Sequence, residues 1–294
     1  MFPTSLSPSR TADYLQCALL YRFRTIDQIP DQPSIAAIRG TLVHSVLEKI
    51  FEVPAGNRSL AHAREIFLTQ IHVLRESRPL DFEILSESRD VDDLSSESGL
   101  LEHFMKPVSP LLETYFAMED PNRLEPYARE MAMSVELTEG FSIRGFIDRV
   151  DKSADGAIRV VDYKTGKAPG DKYADKAMFQ MRFYALAWWR MTQTVPKMLQ
   201  LMYLGDGKFL RYEPSEHDLR KTEEKILAIR AAINSSAQNL SFEPSPSKLC
   251  NWCSYKSLCP AFGGTPPPLP DQSTWVSGNS LVEEALGQLM PRVE

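Results

Sequence analysis

Residues 160–167, VVDYKTGK, place an acid and a base two residues apart at the end of an apolar strand. Because side chains alternate along a strand, Asp162 and Lys164 point to the same face and share one small space. Gly166 breaks the strand directly afterwards. A carboxylate and an ammonium in this arrangement form either a surface ion pair or a catalytic pair, and the pattern by itself leaves both interpretations open.

A second carboxylate is directed at the same place. Asp148 lies near the end of the preceding predicted strand, in GFIDRVD, and a hairpin through residues 152–156 brings Asp148 and Asp162 side by side. Two carboxylates this close repel unless a cation neutralises them, and hard oxygen ligands suit Mg2+ or Mn2+. A lysine beside such a cation can orient or deprotonate a water and stabilise charge on a phosphoryl group.

Two helical motifs accompany this strand pair. His44 lies on an early predicted helix, where a lone histidine is usually a structural residue, although imidazole is also a good third metal ligand. Gln180 and Tyr184 are four residues apart on a later helix, so they share one face. Each motif alone is ordinary helix surface.

The predicted elements give an α/β or α+β architecture with helices around a mixed central sheet. Residues 76–100 are acidic and rich in serine, and they predict a mobile surface loop. From Gly263 the chain predicts a proline-rich linker that ends in a weak amphipathic stretch. Periodicity predicts helices at 1–75, 101–119, 173–191 and 215–237, and strands at 130–137, 141–151, 157–164, 197–204 and 208–214.

The charge distribution favours a polyanionic substrate bound locally. The 294 residues carry a net charge of -6, yet residues 141–190 hold ten basic side chains against six acidic ones. The predicted phosphate contacts are Arg149, Lys167, Lys172 and Lys176. The N-terminus lacks the pattern of a secretory signal, and no apolar run is long enough for a membrane span, so we expect a cytoplasmic protein without a membrane partner.

Four ordered motifs resemble a known family. They are G-x-x-x-H at 40–44, G-x-x-D-R-x-D at 145–151, D-Y-K-T-G at 162–166 and Q-x-x-x-Y at 180–184. In this order they resemble the PD-(D/E)XK nucleases of the RecB and AddB type, including the small iron-sulfur exonucleases of CRISPR adaptation. The opening LSPSRTADYLQCALLYRF is also similar to that group's N-terminal motif, except that Ala18 replaces the usual proline. The resemblance covers residues 6–260.

The resemblance implies a restriction-endonuclease-like fold, with a mixed central sheet flanked by helices, an N-terminal helical region and a C-terminal iron-sulfur staple. It also implies that His44, Asp148 and Asp162 are metal ligands, with the backbone carbonyl of Tyr163 completing the set. Lys164 would be the catalytic lysine.

The resemblance assigns roles to the flanking motifs as well. Gln180 and Tyr184 would line the site and steady the DNA. Glu130 resembles the acid on the strand before the first aspartate motif, although Glu136 competes for that place.

The four cysteines form a one-plus-three pattern. Cys17 is near the N-terminus, and Cys250, Cys253 and Cys259 form C-x2-C-x5-C near the C-terminus. Four thiolates suit either Zn2+ or a 4Fe-4S cluster, and spacing does not decide between them. The resemblance favours the cluster. We expect a structural role, because the site would close a loop of more than 200 residues.

The sequence thus predicts a metal-dependent DNA nuclease, an exonuclease on single-stranded or frayed DNA ends that serves DNA repair, recombination or related processing. No helicase phosphate loop occurs, so unwinding would require a helicase partner. One alternative is a catalytically idle nucleic-acid-binding or scaffold module of the same fold, and another is a zinc-stapled structural protein. The predicted divisions are a helical region at 1–125, a nuclease core at 126–240, a cysteine segment at 241–262 and a tail at 263–294.

Overall fold

The N-terminal half of the chain is mainly helical. A computed structural model describes residues 2–32, 34–87 and 97–275. Serine side chains accept hydrogen bonds from backbone N–H groups at the starts of α1, α3 and α4, and so satisfy donors that have no partner within the helix. The elements are β1 (Ser5–Leu6), α1 (Pro8–Gln16), α2 (Ala18–Tyr21), α3 (Ile35–Lys49), α4 (Leu60–Ser77), α5 (Pro79–Glu87), α6 (Glu97–Met105) and α7 (Ser109–Met118).

The second half supplies most of a six-stranded mixed sheet. Its elements are β2 (Ala128–Thr138), β3 (Phe141–Lys152), β4 (Ile158–Lys164), α8 (Asp171–Thr192), β5 (Met198–Tyr203), β6 (Lys208–Tyr212) and α9 (Glu216–Gln238). β1 runs parallel to β3, and β4 runs parallel to β5, while the other pairs are antiparallel. The predicted mixed sheet flanked by helices is confirmed.

Strand β3 is the centre of the sheet. β2 pairs along one edge of β3, so β1 and β4 must share the other edge. β1 pairs with Ser142 and Ile143, and β4 pairs from Arg149 onwards. Among the residues that the structure describes, no strand pairs with residues 144–148 along this edge, so the edge is open where Asp148 lies. This gap in the sheet makes room for a site.

Helices cover both faces of the sheet. On one face α8 and α9 pack on a large apolar cluster that includes Val160, Phe183 and Ile226. On the other face the helical layer of α3 to α7 packs on a second cluster that includes Val161 and Tyr163. Because Val160 and Val161 alternate between the faces, Asp162 is directed towards α8 and Tyr163 towards the helical layer.

The predicted loop at 76–100 is wrong over residues 79–87, which form α5, and over residues 97–100, which begin α6. Leu85 and Phe104 are buried in the second cluster, and the rings of Phe82 and Phe104 lie 5.6 Å apart. Packing against α4 therefore orders these two helices, although the segment 76–100 as a whole is acidic and rich in serine. The predicted helix at 101–119 is two helices, because Pro107 lies in the turn between α6 and α7. Residues 88–96 lie outside the described residues.

The segment after Gly263 is also packed rather than a free linker. Arg22 donates a hydrogen bond to the carbonyl of Pro267, and Trp275 is buried against the first cluster. The predicted amphipathic stretch from residue 276 onwards lies outside the described residues. The described helices include none that is both long and apolar enough to cross a bilayer. The division of the chain at residues 125, 240 and 262 stays a prediction.

Candidate active site

Three side chains from three elements converge near the end of β3, around Asp148. His44 comes from α3, Glu130 from β2 and Asp148 from β3, and one ligand atom of each lies within 4.8 Å of the others. His44 Nδ1 is 3.3 Å from Asp148 Oδ2. An imidazole nitrogen and two carboxylates offer the donor set of a divalent cation site.

The backbone of Glu130 is unusual for a strand residue. Its φ is 41°, in the left-handed region that non-glycine residues rarely adopt. Strained backbone of this kind occurs at sites where geometry matters more than local stability. Glu136, the competing acid on the same strand, is exposed and accepts a hydrogen bond from the Gly140 N–H. The structure therefore brings Glu130, and not Glu136, to the cluster.

Asp162, Lys164 and two residues of α8 form a connected chain beside this cluster. Lys164 Nζ lies 2.7 Å from Asp162 Oδ2 and donates to Gln180 Oε1 at 3.0 Å. Gln180 Nε2 donates to Asp162 Oδ1 at 2.9 Å and to the Tyr184 hydroxyl at 3.1 Å. Both ends of the Gln180 amide are thus used, which fixes the Asp162–Lys164 pair against the helix.

The backbone of β4 connects the two groups. The Tyr163 N–H donates to Asp148 Oδ2 at 2.8 Å, so Asp148 is held between His44 and β4. Asp162 is not part of the three-residue cluster in this structure, because its carboxylate is paired with Lys164 and Gln180. Its assignment as a metal ligand, like that of the Tyr163 carbonyl, stays a prediction.

The loop after Lys164 is fixed by a close backbone contact. The Leu204 N–H donates to the Lys164 carbonyl at 2.8 Å, and the Gly205 N–H donates to the Gly166 carbonyl at 3.1 Å. A Cβ on Gly205 would lie 2.7 Å from the Gly166 carbonyl carbon and oxygen. Only glycine fits there, so this contact keeps the end of β4 in place.

Burial and mutual repulsion shift the acid–base behaviour of the site. Burial, followed by the charges of Asp148 and Glu48, raises the pKa of Glu130 to about 7. Burial and Asp148 also raise the pKa of Asp162, although Lys164 opposes this shift. Burial disfavours the charged form of His44, but Asp148 and Asp162 outweigh it and raise the pKa of that imidazole. A bound cation would relieve this concentration of negative charge.

A groove of about 1140 Å3 runs past these residues. Asp148, Lys164, Gln180 and Tyr184 line it, and among its described lining residues the only other acid is Asp175, which is paired with Arg182. Six basic side chains line the groove, namely Arg10, Arg144, Lys164, Lys167, Lys176 and Lys225. The groove is therefore electropositive although the chain is acidic overall.

The four predicted phosphate contacts differ in whether they reach the groove. Lys167 and Lys176 line the groove, and Lys172 is exposed outside its lining with its ammonium 5.0 Å from the Tyr173 ring. The sequence did not predict three other basic residues that line the groove, namely Arg10, Lys225 and the buried Arg144. Arg10 directly follows the S-x-S stretch of the N-terminal motif, which was the one available signal.

The assignment of Arg149 to phosphate binding is wrong. Its side chain is 1% exposed and ion-paired to Glu119 and Asp151. Neighbouring residues on a strand point to different sides, so Asp148 lines the groove whereas Arg149 points into the interior. A basic residue next in sequence to an acid that lines the groove therefore need not face the groove.

The four cysteines border one small cavity between the N-terminal helices and the C-terminal segment. All four are free thiols, and backbone N–H groups of Ser245 and Ser247 point at the Sγ atoms of Cys17 and Cys250, at 3.4 and 3.3 Å. Within the described ranges, no three of the Sγ atoms all lie within 4.8 Å of one another. A tetrahedral Zn2+ site with Zn–S distances of about 2.3 Å would need a closer arrangement.

Comparison with known proteins agrees with this geometry. The sequence model of the PD-(D/E)XK nuclease superfamily matches residues 5–260. The chain belongs to the PD-(D/E)XK nuclease superfamily. The match includes His44, Glu130, Asp148, Asp162 and Lys164, and it supports nuclease activity.

Two curated relatives align with most of this chain and with nearly all of their own length. The Gene 69 protein of Mycobacterium phage L5 is 30% identical in an alignment of length 291 that covers 87% of this chain and 96% of that protein. The Gene 69 protein of Mycobacterium phage D29 is 28% identical over 273 residues, with the same two coverages. Among solved structures, a candidate exonuclease from Eubacterium rectale is 14% identical and covers 86% of this chain and 88% of its own, with a TM-score of 0.48.

Proposed function

We propose that this nuclease hydrolyses DNA with Mg2+ or Mn2+ and acts as an exonuclease on single-stranded or frayed ends. The observation that carries the proposal is the juxtaposition of the His44–Glu130–Asp148 cluster and the Asp162–Lys164 pair beside a basic groove, which Asp148 and Lys164 line. A cluster of acids inside a basic groove suits a cation and a phosphodiester together.

His44, Glu130 and Asp148 would hold the cation, with Asp162 and the Tyr163 carbonyl as further ligands. The donor set fits, because burial and then the charge of Asp148 raise the pKa of Glu130 and of Asp162, and a bound cation would stabilise both carboxylates in their charged form. When bound, the cation would lower the pKa of a water and neutralise charge on the scissile phosphate.

The residues of α8 prepare the lysine for its role. The Lys164 side chain is one third exposed and lines the groove, and its Nζ contacts Asp162 and Gln180. In this position the ammonium would orient the attacking water and stabilise charge that develops on the phosphate. The Gln180 amide and the Tyr184 hydroxyl keep the lysine from turning away, and both line the groove that would hold the DNA.

We further propose that the protein is of the RecB and AddB type, with a 4Fe-4S cluster held by Cys17, Cys250, Cys253 and Cys259. The proposal rests on the resemblance, and the four cysteines border one cavity in which such a group could lie. The cluster would tie the segment after α9 to the start of α2. A helicase would supply duplex unwinding.

The test is digestion of end-labelled DNA, single- and double-stranded, linear and circular, with Mg2+, Mn2+ or EDTA. We expect release of short products from linear single strands, protection of circles, and no cleavage in EDTA. Lys164→Ala is the matched inactive variant. DNA binding without cleavage by the parent under any metal would instead support the idle binding module, and cleavage of circles would refute exonuclease action.

A further inference from the structure

Arg149 lies at the centre of a buried network next to the His44–Glu130–Asp148 cluster. Its Nη1 donates to the Tyr163 hydroxyl at 2.6 Å and to Glu119 Oε1 at 2.5 Å, and its Nη2 donates to Glu119 Oε2 at 3.0 Å. Its Nε lies 3.1 Å from Asp151 Oδ1, and Asp151 is paired in turn with Arg159. The positive charges of the two arginines offset the negative charges of Glu119 and Asp151, so the network has no net charge.

The network joins the elements that carry the cluster residues. Arg149 follows Asp148 on β3 and bonds to Tyr163 on β4. Its guanidinium lies 5.5 Å from the ring of Phe51, in the turn that continues α3. Glu119 directly follows α7, so this ion pair ties the helical layer to the sheet.

A short path leads from this network to the cluster. The Tyr163 ring meets the His44 ring edge to face, with centroids 6.0 Å apart. The Tyr163 N–H is the donor that holds Asp148. A displacement of Tyr163 would therefore move both His44 and Asp148.

Stability alone does not account for this arrangement. A buried ion network contributes little net stability compared with apolar packing of the same volume, because desolvation offsets the Coulomb attraction. A planar guanidinium, however, can bond to Glu119 and Tyr163 at once in a fixed geometry that lysine cannot reproduce.

We infer that Arg149 is a positioning residue for the metal site. It locks the helical layer that carries His44 against the strands that carry Asp148 and the Tyr163 carbonyl. This inference rests on the proposed function, since it assigns Arg149 a role towards the cation that those residues would hold.

The test measures Mn2+ affinity by calorimetry in folded, metal-free protein, separately from cleavage. Arg149→Lys is expected to weaken Mn2+ binding about tenfold or more, as is typical when an outer-shell partner of a metal site is removed. Tyr163→Phe removes only the hydroxyl and is expected to weaken binding in the same direction by less. If Arg149→Lys does not fold, Tyr163→Phe carries the test.

Arg58→Lys is the matched control. Arg58 is also a buried arginine in the helical layer, with a 3% exposed side chain paired to Glu125 and its guanidinium 5.1 Å from the Phe51 ring. Its other bonds go to carbonyls of residues 51, 53, 121 and 124, which lie outside the strands. We expect Arg58→Lys to lower the melting temperature while Mn2+ affinity is unchanged.

A double-mutant cycle tests the route. If Arg149 acts through His44, then Arg149→Lys costs less Mn2+ affinity in a His44→Ala background than in the parent. Parental Mn2+ affinity in both Arg149→Lys and Tyr163→Phe, or an equal loss in Arg58→Lys, would overturn the inference. Failure of the proposed function is recognised separately, because Asp148→Asn would then retain parental Mn2+ binding and cleavage.

Discussion

Glu130→Gln tests how the concentrated negative charge controls the proposed cation site. The pKa of Glu130 is raised to about 7, first by burial and then by Asp148 and Glu48. A protonated carboxyl is a poor ligand, so a cation must displace that proton before Glu130 can bind. Metal affinity should therefore rise with pH through about 7 in the parent and lose this component in Glu130→Gln.

The magnitude follows from the ionised fraction. With a pKa of about 7, roughly a tenth of Glu130 is ionised at pH 6 and roughly nine tenths at pH 8, which predicts an affinity about tenfold weaker at pH 6. The raised pKa of His44 acts in the same direction, since a protonated imidazole cannot bind a cation. In Glu130→Gln the Mn2+ affinity should depend on pH only through the protonation of His44, so its pH dependence should be weaker than in the parent.

The same shift predicts an opposite effect on stability. Ionising Glu130 in the folded protein is unfavourable, so folding is penalised above the unfolded value of 4.5 and fully penalised above about 7. In EDTA at pH 8, Glu130→Gln should therefore melt at a higher temperature than the parent. That gain should shrink as the pH falls towards 4.5.

The assay is calorimetric titration with Mn2+ at pH 6, 7 and 8, in two buffers of different ionisation enthalpy so that released protons are counted. Glu136→Gln is the matched control, because it removes an exposed acid from the same strand. An affinity that does not change between pH 6 and 8, or an equal pH dependence in Glu130→Gln, would refute the role of Glu130.

Three further predictions address catalysis, substrate and the cysteine site. Lys164→Ala should slow cleavage of end-labelled DNA by at least about 100-fold while its Mn2+ affinity stays parental, whereas Asp162→Ala should lose both cleavage and Mn2+ affinity. Near-parental cleavage by Lys164→Ala would contradict the role of that lysine. Lys176→Ala should reduce the slope of the logarithm of the DNA-binding constant against the logarithm of salt concentration by about 0.7–0.9. Lys172→Ala should reduce it by less, because Lys172 lies outside the groove lining. Equal slopes in the two variants would show that the groove does not bind phosphates. Cys253→Ser should be colourless and melt at a lower temperature while its cleavage still requires Mg2+ or Mn2+. About four iron and four sulfide per parental chain support the cluster, and one zinc without sulfide contradicts it.

The sequence by itself determined the local parts of the site. The two-residue spacing of Asp162 and Lys164 places both on one strand face, and the four-residue spacing of Gln180 and Tyr184 places both on one helix face. These relations depend only on strand and helix periods, so the structure shows both pairs in contact. The hairpin that brings Asp148 beside β4 was also readable, because its turn residues are local.

Tertiary structure decided which surroundings each residue meets. Glu130 and Glu136 lie on the same strand, and only the packing of α3 against β3 selects Glu130. Arg149 is basic and adjacent to Asp148, yet its side chain points inward, where it donates hydrogen bonds to Glu119 and Tyr163. Arg10 reaches the groove only because β1 joins the sheet beside β3 and places α1 there. Periodicity specifies a side chain's direction within its own element, whereas its partners come from residues distant in sequence, and those contacts exist only once the layers have packed.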